Sequence, residues 1–550
     1  MAPLLFAGLA FAAAGSAFAS PSLWAAAVLS VIAAALCAPG DAVPAMTPLA
    51  FAIAAFVLWG VANDFLNSPY TAAGIFHPVF LGAGFVFSRR LDLRARNAAR
   101  SALLVGMAML ALWALWQSAS GQGRALAHFE TPNTLASVLN LALAPVLFRI
   151  AYGEGRRIVL ALAVLLTAAL VCTLSRGGFI ALGTGVLVTG LLFAVRPPSR
   201  AVLCLVGVLA AGIAAGVLAL QLPQWLASRG STPAPGIESL AATLEGTVGS
   251  RSELYRLAFS AVGERPWLGA GYLGFHALFE AGRASVPSYS PENVTWFVHD
   301  DYLQTLVELG LPGFLALATL VAAPFWLAKR VPPPETDRLA LYAVLAGLAT
   351  MAIHALGDFP FYVPICLLLF GTLLGEADRL LWRARPTPLA APESLLRLAR
   401  IGGATILALL ILPPPLAEAA AAYGDRSWRS GKAEPAAFGF ELARRFQPRD
   451  WRYHWYAGQF WYAQAGQSGK KAAADLADEA FAAAMEANPA DPRPLLGRLA
   501  TQMRFASLLD RPRPAATLRG WAERALSLAP LNPAVRQDYR AALAQLGNRP

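Results

Sequence analysis

The stretch IVLALAVLLTAALVCTLSRGGFIALGTGVLVTGLLFAV, residues 158–195, holds one charged side chain, Arg176. On either side of it, 158–174 and 177–195 are apolar runs of roughly the length that crosses a bilayer as a helix. Ser175-Arg176-Gly177 therefore reads as a hinge between two membrane spans, with a guanidinium left at the membrane face. A charge at that depth is costly and marks a functional position; the plainer reading is a side chain reaching up to lipid headgroups.

Outward from this pair the pattern repeats. Further apolar runs lie at about 4–19, 22–38, 47–62, 71–87, 101–118, 133–150, 201–222, 303–328, 339–357, 359–376 and 400–420, about thirteen spans in all. The chain is 57% hydrophobic and 14% charged, with a mean hydropathy of +0.51. That excludes a soluble protein and predicts an all-α polytopic membrane protein. The net charge of +11 does not indicate nucleic acid, because the basic residues fall in short clusters between apolar runs. No charged side chain precedes Asp41, so the first run is expected to be retained as a span rather than cleaved as a signal. Cys37, Cys172, Cys204 and Cys366 lie within apolar runs and read as packing residues.

The arginines set the orientation. Five clusters are Arg89 to Arg100, Arg149 to Arg157, Arg196 with Arg200, Lys329 to Arg338, and Arg379 to Arg400. With these spans all five share one side, which is cytoplasmic by the positive-inside rule. The N-terminus falls on that side too. The loops near 63–70, 119–132, 174–177, 223–302 and 357–359 share the other side with everything after about 421. The transmembrane domain is thus expected over 1–421, with a large loop at 223–302 whose length points to function.

Residues 422–550 read as a separate soluble helical domain on the loop side. Gln447-Pro448, Asn488-Pro489 and Ala529-Pro530 each close a helical run, about 41 residues apart, resembling tetratricopeptide repeats of longer period. The aromatic cluster Trp451, Tyr453, Trp455, Tyr456, Trp461 and Tyr462 reads as repeat core in preference to a sugar platform.

Polar residues able to do chemistry gather on the loop side. Besides Arg176 they are Arg251 and Arg256, whose plainer reading is a solvated loop face, and Asn133 beside Thr131, either of which can cap the next helix. His354 and Asp358, at i and i+4, either pair with each other or join a site. His299 precedes Asp300-Asp301-Tyr302. One of the two aspartates caps a helix that stops at Gly310-Leu311-Pro312-Gly313. The positive end of that helix favours a neutral imidazole able to take a proton. Arginines with a histidine suit a diphosphate and a hydroxyl acceptor. There is no phosphate-binding Gly-Lys-Ser/Thr loop and no metal-ligand spacing, so a lipid-borne donor fits better than a nucleotide sugar.

In this order the segments resemble the bacterial O-antigen ligase family, which includes O-antigen polymerases and some O-linked oligosaccharyltransferases. The resemblance covers about 120–376. It rests on Thr131-Pro132-Asn133-Thr134, Ser175-Arg176-Gly177, and Arg251 to Tyr255 followed by Pro266, Gly269 and Gly271. It continues through His299, Tyr302, Leu303, Glu308, Gly310 and Gly313, and ends with His354, Asp358 and Phe359. Thr131, Tyr255 and Asp300 depart from the family's Asn, Trp and Asn. Asp300 sets a carboxylate beside His299, either opposing the dipole there or simply capping the helix.

The resemblance implies a membrane glycosyltransferase of the C-type class in the bacterial inner membrane. Such an enzyme moves a glycan from undecaprenyl diphosphate to an acceptor hydroxyl on the periplasmic face, with inversion and with neither metal nor other cofactor. Arg176, Arg251 and His299 would be catalytic, and Arg256, Tyr302, His354, Asp358 and Asn133 substrate-binding. The acceptor would be a lipid A core, another glycan or a protein, and the repeat domain would offer a surface for a protein partner. A polymerase or oligosaccharyltransferase is the alternative reading. A lipid-linked glycan transporter fits less well, since the polar groups sit at one face and not at mid-membrane.

Overall fold

The computed structural model describes residues 20–37, 47–67, 72–152, 156–227, 238–287, 295–382, 403 and 405–547. The expected first span, 4–19, all of 383–402 and hence the start of the expected span 400–420 lie outside these residues. Among those described, the protein is all helical with no strand.

The membrane part comprises α1 (Pro21–Cys37), α2 (Pro48–Leu66), α3 (Ala73–Arg90), α4 (Leu93–Ala119), α5 (Pro132–Ala151), α6 (Arg157–Thr173), α7 (Arg176–Leu192) and α8 (Ser199–Ala227). After the large loop come α11 (Asp301–Arg330), α12 (Glu335–His354) and α13 (Pro364–Trp382). The loop itself carries α9 (Glu238–Glu264) and α10 (Phe275–Gly282). Seven described helices are long and apolar enough to cross a membrane: α2, α4, α5, α8, α11, α12 and a helix over Thr405–Arg429. Parts of α1, and α6 and α7, are apolar but shorter.

Local sequence explains where these helices start. Thr47, Asp92, Thr131, Ser175 and Asp300 each accept a backbone N–H of the first turn through the side chain. Pro48 and Pro132 occupy first-turn positions where no hydrogen-bond donor is needed. Small residues then set the packing. Along the α3–α13 contact, a Cβ on Gly84 would overlap the Leu368 carbonyl and one on Gly371 the Leu81 carbonyl. These backbones touch directly, as glycine-lined membrane helices do.

The arginine clusters meet at one end of the bundle. Arg89 pairs with the buried Asp378 at 3.0 Å, and Arg100 and Arg379 both reach Glu376, at 3.6 and 2.6 Å. The starts of α5, α7 and α11 and the ends of α2, α6 and α12 lie at the other end, with the large loop.

Helix α11 breaks where expected and then resumes. Gly310 has φ 66° and ψ −172°, which divides α11 into a short entry helix and a longer one running to Arg330. The loop segment from Pro266 to Tyr272 fills the break. Leu311 N donates to Pro266 O at 2.8 Å, Ala270 N to Val307 O at 2.8 Å and Gly271 N to Glu308 O at 3.0 Å. A Cβ on Gly310 would overlap the Trp267 carbonyl, so the glycine serves both the left-handed conformation and the close approach.

The C-terminal helices are α14 (Pro413–Arg429), α15 (Ala433–Phe446), α16 (Trp451–Ser468), α17 (Lys471–Ala487), α18 (Pro492–Arg504), α19 (Ala515–Leu528) and α20 (Pro533–Gly547). Each packs on its successor. Helix α14 runs through 421/422 and packs on both α15 and α1. Asp450, Asp491 and Asn532 hold the first N–H groups of α16, α18 and α20. The aromatic cluster divides: Trp451 and Tyr453 are buried and Trp461 packs on the core, whereas Trp455 and Tyr462 line a groove.

Candidate active site

His299 stands at the entry to α11 with a positive φ of 62°, a conformation a histidine adopts only when its surroundings hold it there. Four contacts do so. Asp300, extended at φ −155°, caps α11 by accepting from Tyr302 N and Leu303 N, both at 3.0 Å. The Tyr255 hydroxyl donates to His299 O at 3.3 Å. Val298 N donates to Gln304 Oε1 at 2.6 Å. Phe359 lies 5.4 Å from the imidazole, ring centre to ring centre. Asp300 is therefore spent on the helix and not on the imidazole. Burial raises the Asp300 carboxyl, and the two backbone N–H groups oppose the rise.

The carboxylate facing His299 is Asp358. Its Oδ1 lies 3.5 Å from His299 Nδ1, an ion-pair distance and longer than a good hydrogen bond. The Asp358 side chain is 5% exposed and that of His299 26%. With Nδ1 buried against Asp358, the open part of the ring is its far edge. Burial pushes the Asp358 carboxyl up, but the His299 and His354 imidazoles and the Arg251 guanidinium outweigh burial and hold it below the ordinary carboxylate value.

Asp301 builds the turn that carries Asp358. It is fully buried. Its backbone N–H donates to Ala355 O at 2.8 Å and its Oδ2 accepts from Phe361 N at 2.6 Å. The start of α11 is thereby locked to the end of α12.

His354 does not form the hydrogen-bonded i,i+4 pair with Asp358 that its spacing offered. Its Nδ1 lies 2.9 Å from Ser137 Oγ, and Ser137 Oγ donates to Asn133 O at 3.0 Å. A hydroxyl has one proton, so Ser137 accepts from His354 Nδ1–H and Nε2 is left as the acceptor. That Nε2 lies 3.4 Å from the position of a Cβ on Gly177, so the glycine after Arg176 lets the ring approach α7.

Arg176 opens α7 behind its Ser175 cap and is exposed. Arg251 is half-buried on α9. Its Nε is buried without a hydrogen-bond partner among the described residues, and Nη1 lies 3.7 Å from the Cβ position of Gly357, next to Asp358. Arg256 is exposed, about 140° further round the same helix, and the structure does not bring it to this cluster. Tyr302 donates to Ala352 O at 2.8 Å, so its hydroxyl joins α11 to α12. Thr131 caps α5, and Asn133 Oδ1 accepts from Arg124 at 3.4 Å.

Arg124 is the functional candidate that the sequence reading missed. Its Nε donates to Thr173 O at 2.9 Å, fixing it beside the Ser175-Arg176 hinge. Burial, then the nearby charge of Arg176, lowers its guanidinium pKa, with Asp358 opposing. Two arginines held together against their repulsion suit an anion that bridges them. The signal in sequence was slight: a lone cation in a short loop on the face already assigned to the site.

Glu308 has a different part from its neighbours. Buried in α11, it accepts from Leu273 N and Phe275 N, each at 3.0 Å, and from Gln304 Nε2 at 2.7 Å. It ties the Pro266–Tyr272 segment to the entry helix. Two sequence motifs that looked separate are one packed unit.

Residues 161–318 match the family model described as O-antigen ligase. This stretch belongs to the O-antigen ligase family. The match takes in Arg176, Arg251, His299 and Glu308, and it is shorter than the 120–376 over which the resemblance was traced. No curated protein matches the chain. The family matched over this stretch is one of glycan assembly, ligase-like or polymerase-like.

Proposed function

We propose that the protein transfers a glycan from a polyprenyl diphosphate, undecaprenyl diphosphate in a bacterial inner membrane, to an acceptor hydroxyl on the periplasmic face. The observation that carries this reading is the juxtaposition of Arg124, Arg176 and Arg251 with the His299–Asp358 pair. In the transfer, the acceptor oxygen attacks the anomeric carbon while the bond from that carbon to the diphosphate breaks. The acceptor proton passes to the open edge of His299, and Asp358 behind the ring stabilises the imidazolium that forms. The leaving diphosphate takes the bonding electrons, and the arginines neutralise its growing charge. Attack from the side opposite the leaving group gives inversion, and cationic side chains supply the charge without requiring a metal.

A groove supports the lipid part of the reading. It runs along α4 with a volume of about 1710 Å³, from Arg96 and Arg100 at the arginine end to Trp113 and His128 at the site end. The rise from Arg96 to Trp113 is about 26 Å, close to the roughly 30 Å hydrocarbon layer, a length suited to a polyprenyl chain. Ligase, polymerase and oligosaccharyltransferase differ here in the acceptor alone.

The test is purified protein incubated with polyprenyl-diphosphate glycan and with lipid A core, oligosaccharide and peptide acceptors, followed by mass analysis. Arg124→Ala, Arg176→Ala, Arg251→Ala and His299→Ala should each cut transfer by about 10²-fold or more with the protein still in the membrane. Arg256→Ala should be milder. Full activity of His299→Ala would remove the proton-transfer role.

A further inference from the structure

We propose that the groove between α16, α18 and α20 binds a neutral glycan chain. The idea rests on the glycan-transfer reading above, because it gives that chemistry a holding site. The groove has a volume of about 520 Å³, within the range of small-ligand sites. One wall is Trp455, Gln459 and Tyr462, which share a face of α16 at helical spacing. The facing wall offers Arg504 from α18 and Asp538 and Gln545 from α20.

The lining chemistry selects the occupant. A sugar ring presents an apolar face and a rim of hydroxyls that both donate and accept. Trp455 and Tyr462 supply aromatic surface with a polar edge; Arg504 lies 5.4 Å from the Tyr462 ring centre and donates to its hydroxyl at 3.4 Å. The two glutamine amides donate and accept, Asp538 accepts, and Arg504 donates. The charges balance. Arg493, at the mouth, is held by Asp491 at 2.9 and 2.6 Å and lies over Trp451 and Trp455, 4.6 and 5.8 Å from the ring centres. Arg498, on the same helix, is held by Asp478 at 3.1 Å. Of the arginines at the groove, Arg504 is left to meet an acidic peptide, and Asp538 opposes it.

The C-terminal unit that carries the groove packs on the loop that leads to the site. His276 of α10 lies within electrostatic reach of Asp491 and Arg493, and α10 packs on α19. The His276 ring stacks on Trp296 at 4.0 Å. Next in the chain, Phe297 stacks on Phe359 at 4.1 Å, and Phe359 flanks His299. The unit that carries the groove is thus linked through packed residues to the segment that holds His299.

The experiment titrates the full-length protein in nanodiscs with size-fractionated neutral oligosaccharides released from the host's surface polysaccharide, reading tryptophan fluorescence. Saturable binding is expected, weakened about tenfold by Trp455→Ala or Tyr462→Ala. Ala500 is exposed at the groove, so Ala500→Trp fills the space without removing a contact and should abolish binding. In transfer assays A500W should raise KM for a long acceptor about five- to tenfold and leave a single-sugar acceptor unaffected. Wild-type binding by A500W overturns the proposal, as does a groove that takes peptides and no oligosaccharide. Binding blocked by A500W, with no transfer from any polyprenyl diphosphate donor, would sustain the groove and defeat the transfer reading.

Discussion

At the scale of single residues, adjacent acids have different duties. Asp300 caps α11, Asp301 locks the turn at the end of α12, and Asp358 faces the imidazole. The cap needs an acceptor oxygen and not a charge. Asp300→Asn should therefore keep both stability and transfer, while Asp300→Ala should cost about 0.5–2 kcal/mol of stability, measured by thermal unfolding in detergent. Asp358 is the opposite case, for its charge matters. Its folded pKa lies below the ordinary 3.8, so its contribution is complete above that value and is lost as pH falls through the depressed folded value. The stability gap between wild type and Asp358→Asn should close as pH falls below the ordinary carboxylate range, through the depressed folded value. Transfer by the variant should be reduced throughout. Sequence spacing offered His354 as one candidate partner of Asp358, because i,i+4 neighbours meet on a continuing helix. The helix ends at His354, and the turn beyond it carries Asp358 to the other histidine.

At the scale of elements, the glycine break in α11 and the loop that fills it are one device. Glu308→Ala would leave Leu273 N and Phe275 N buried without their acceptor, at a cost of about 1–3 kcal/mol. Hydrogen exchange over residues 266–275 should speed up sharply in that variant, with exchange in α5 and α6 unchanged. Wild-type protection over 266–275 would refute this role. Much of this level was legible in the sequence. Apolar length located most of the membrane helices, cap residues the starts of α5 and α11, and glycine with proline the break at Gly310. The hidden part was whatever depends on a distant carbonyl. Arg124 is fixed by Thr173 O, and Asn63 Nδ2 holds Leu268 O at 2.7 Å. No local pattern announces a partner fifty or two hundred residues away.

At the scale of the molecule, the site residues and the C-terminal helices share one end of the bundle, and the arginine clusters the other. A reporter active only outside the cytoplasm should therefore work when fused after residue 425 and fail at residue 334. The reverse pattern would put the site on the cytoplasmic side and exclude a donor already moved across the membrane.

The C-terminal unit is also tied to the beginning of the chain. Arg449 donates to the carbonyls of Phe65 and Asn67 at the end of α2, and Glu418 accepts from Ser22 at the start of α1. These contacts close loops of 384 and 396 residues. During synthesis the first helices can make these contacts only once the last domain has been made. The bundle is thus completed from its far end. A chain cut short near residue 410 loses more than an appendage, because its earliest helices never receive their final contacts.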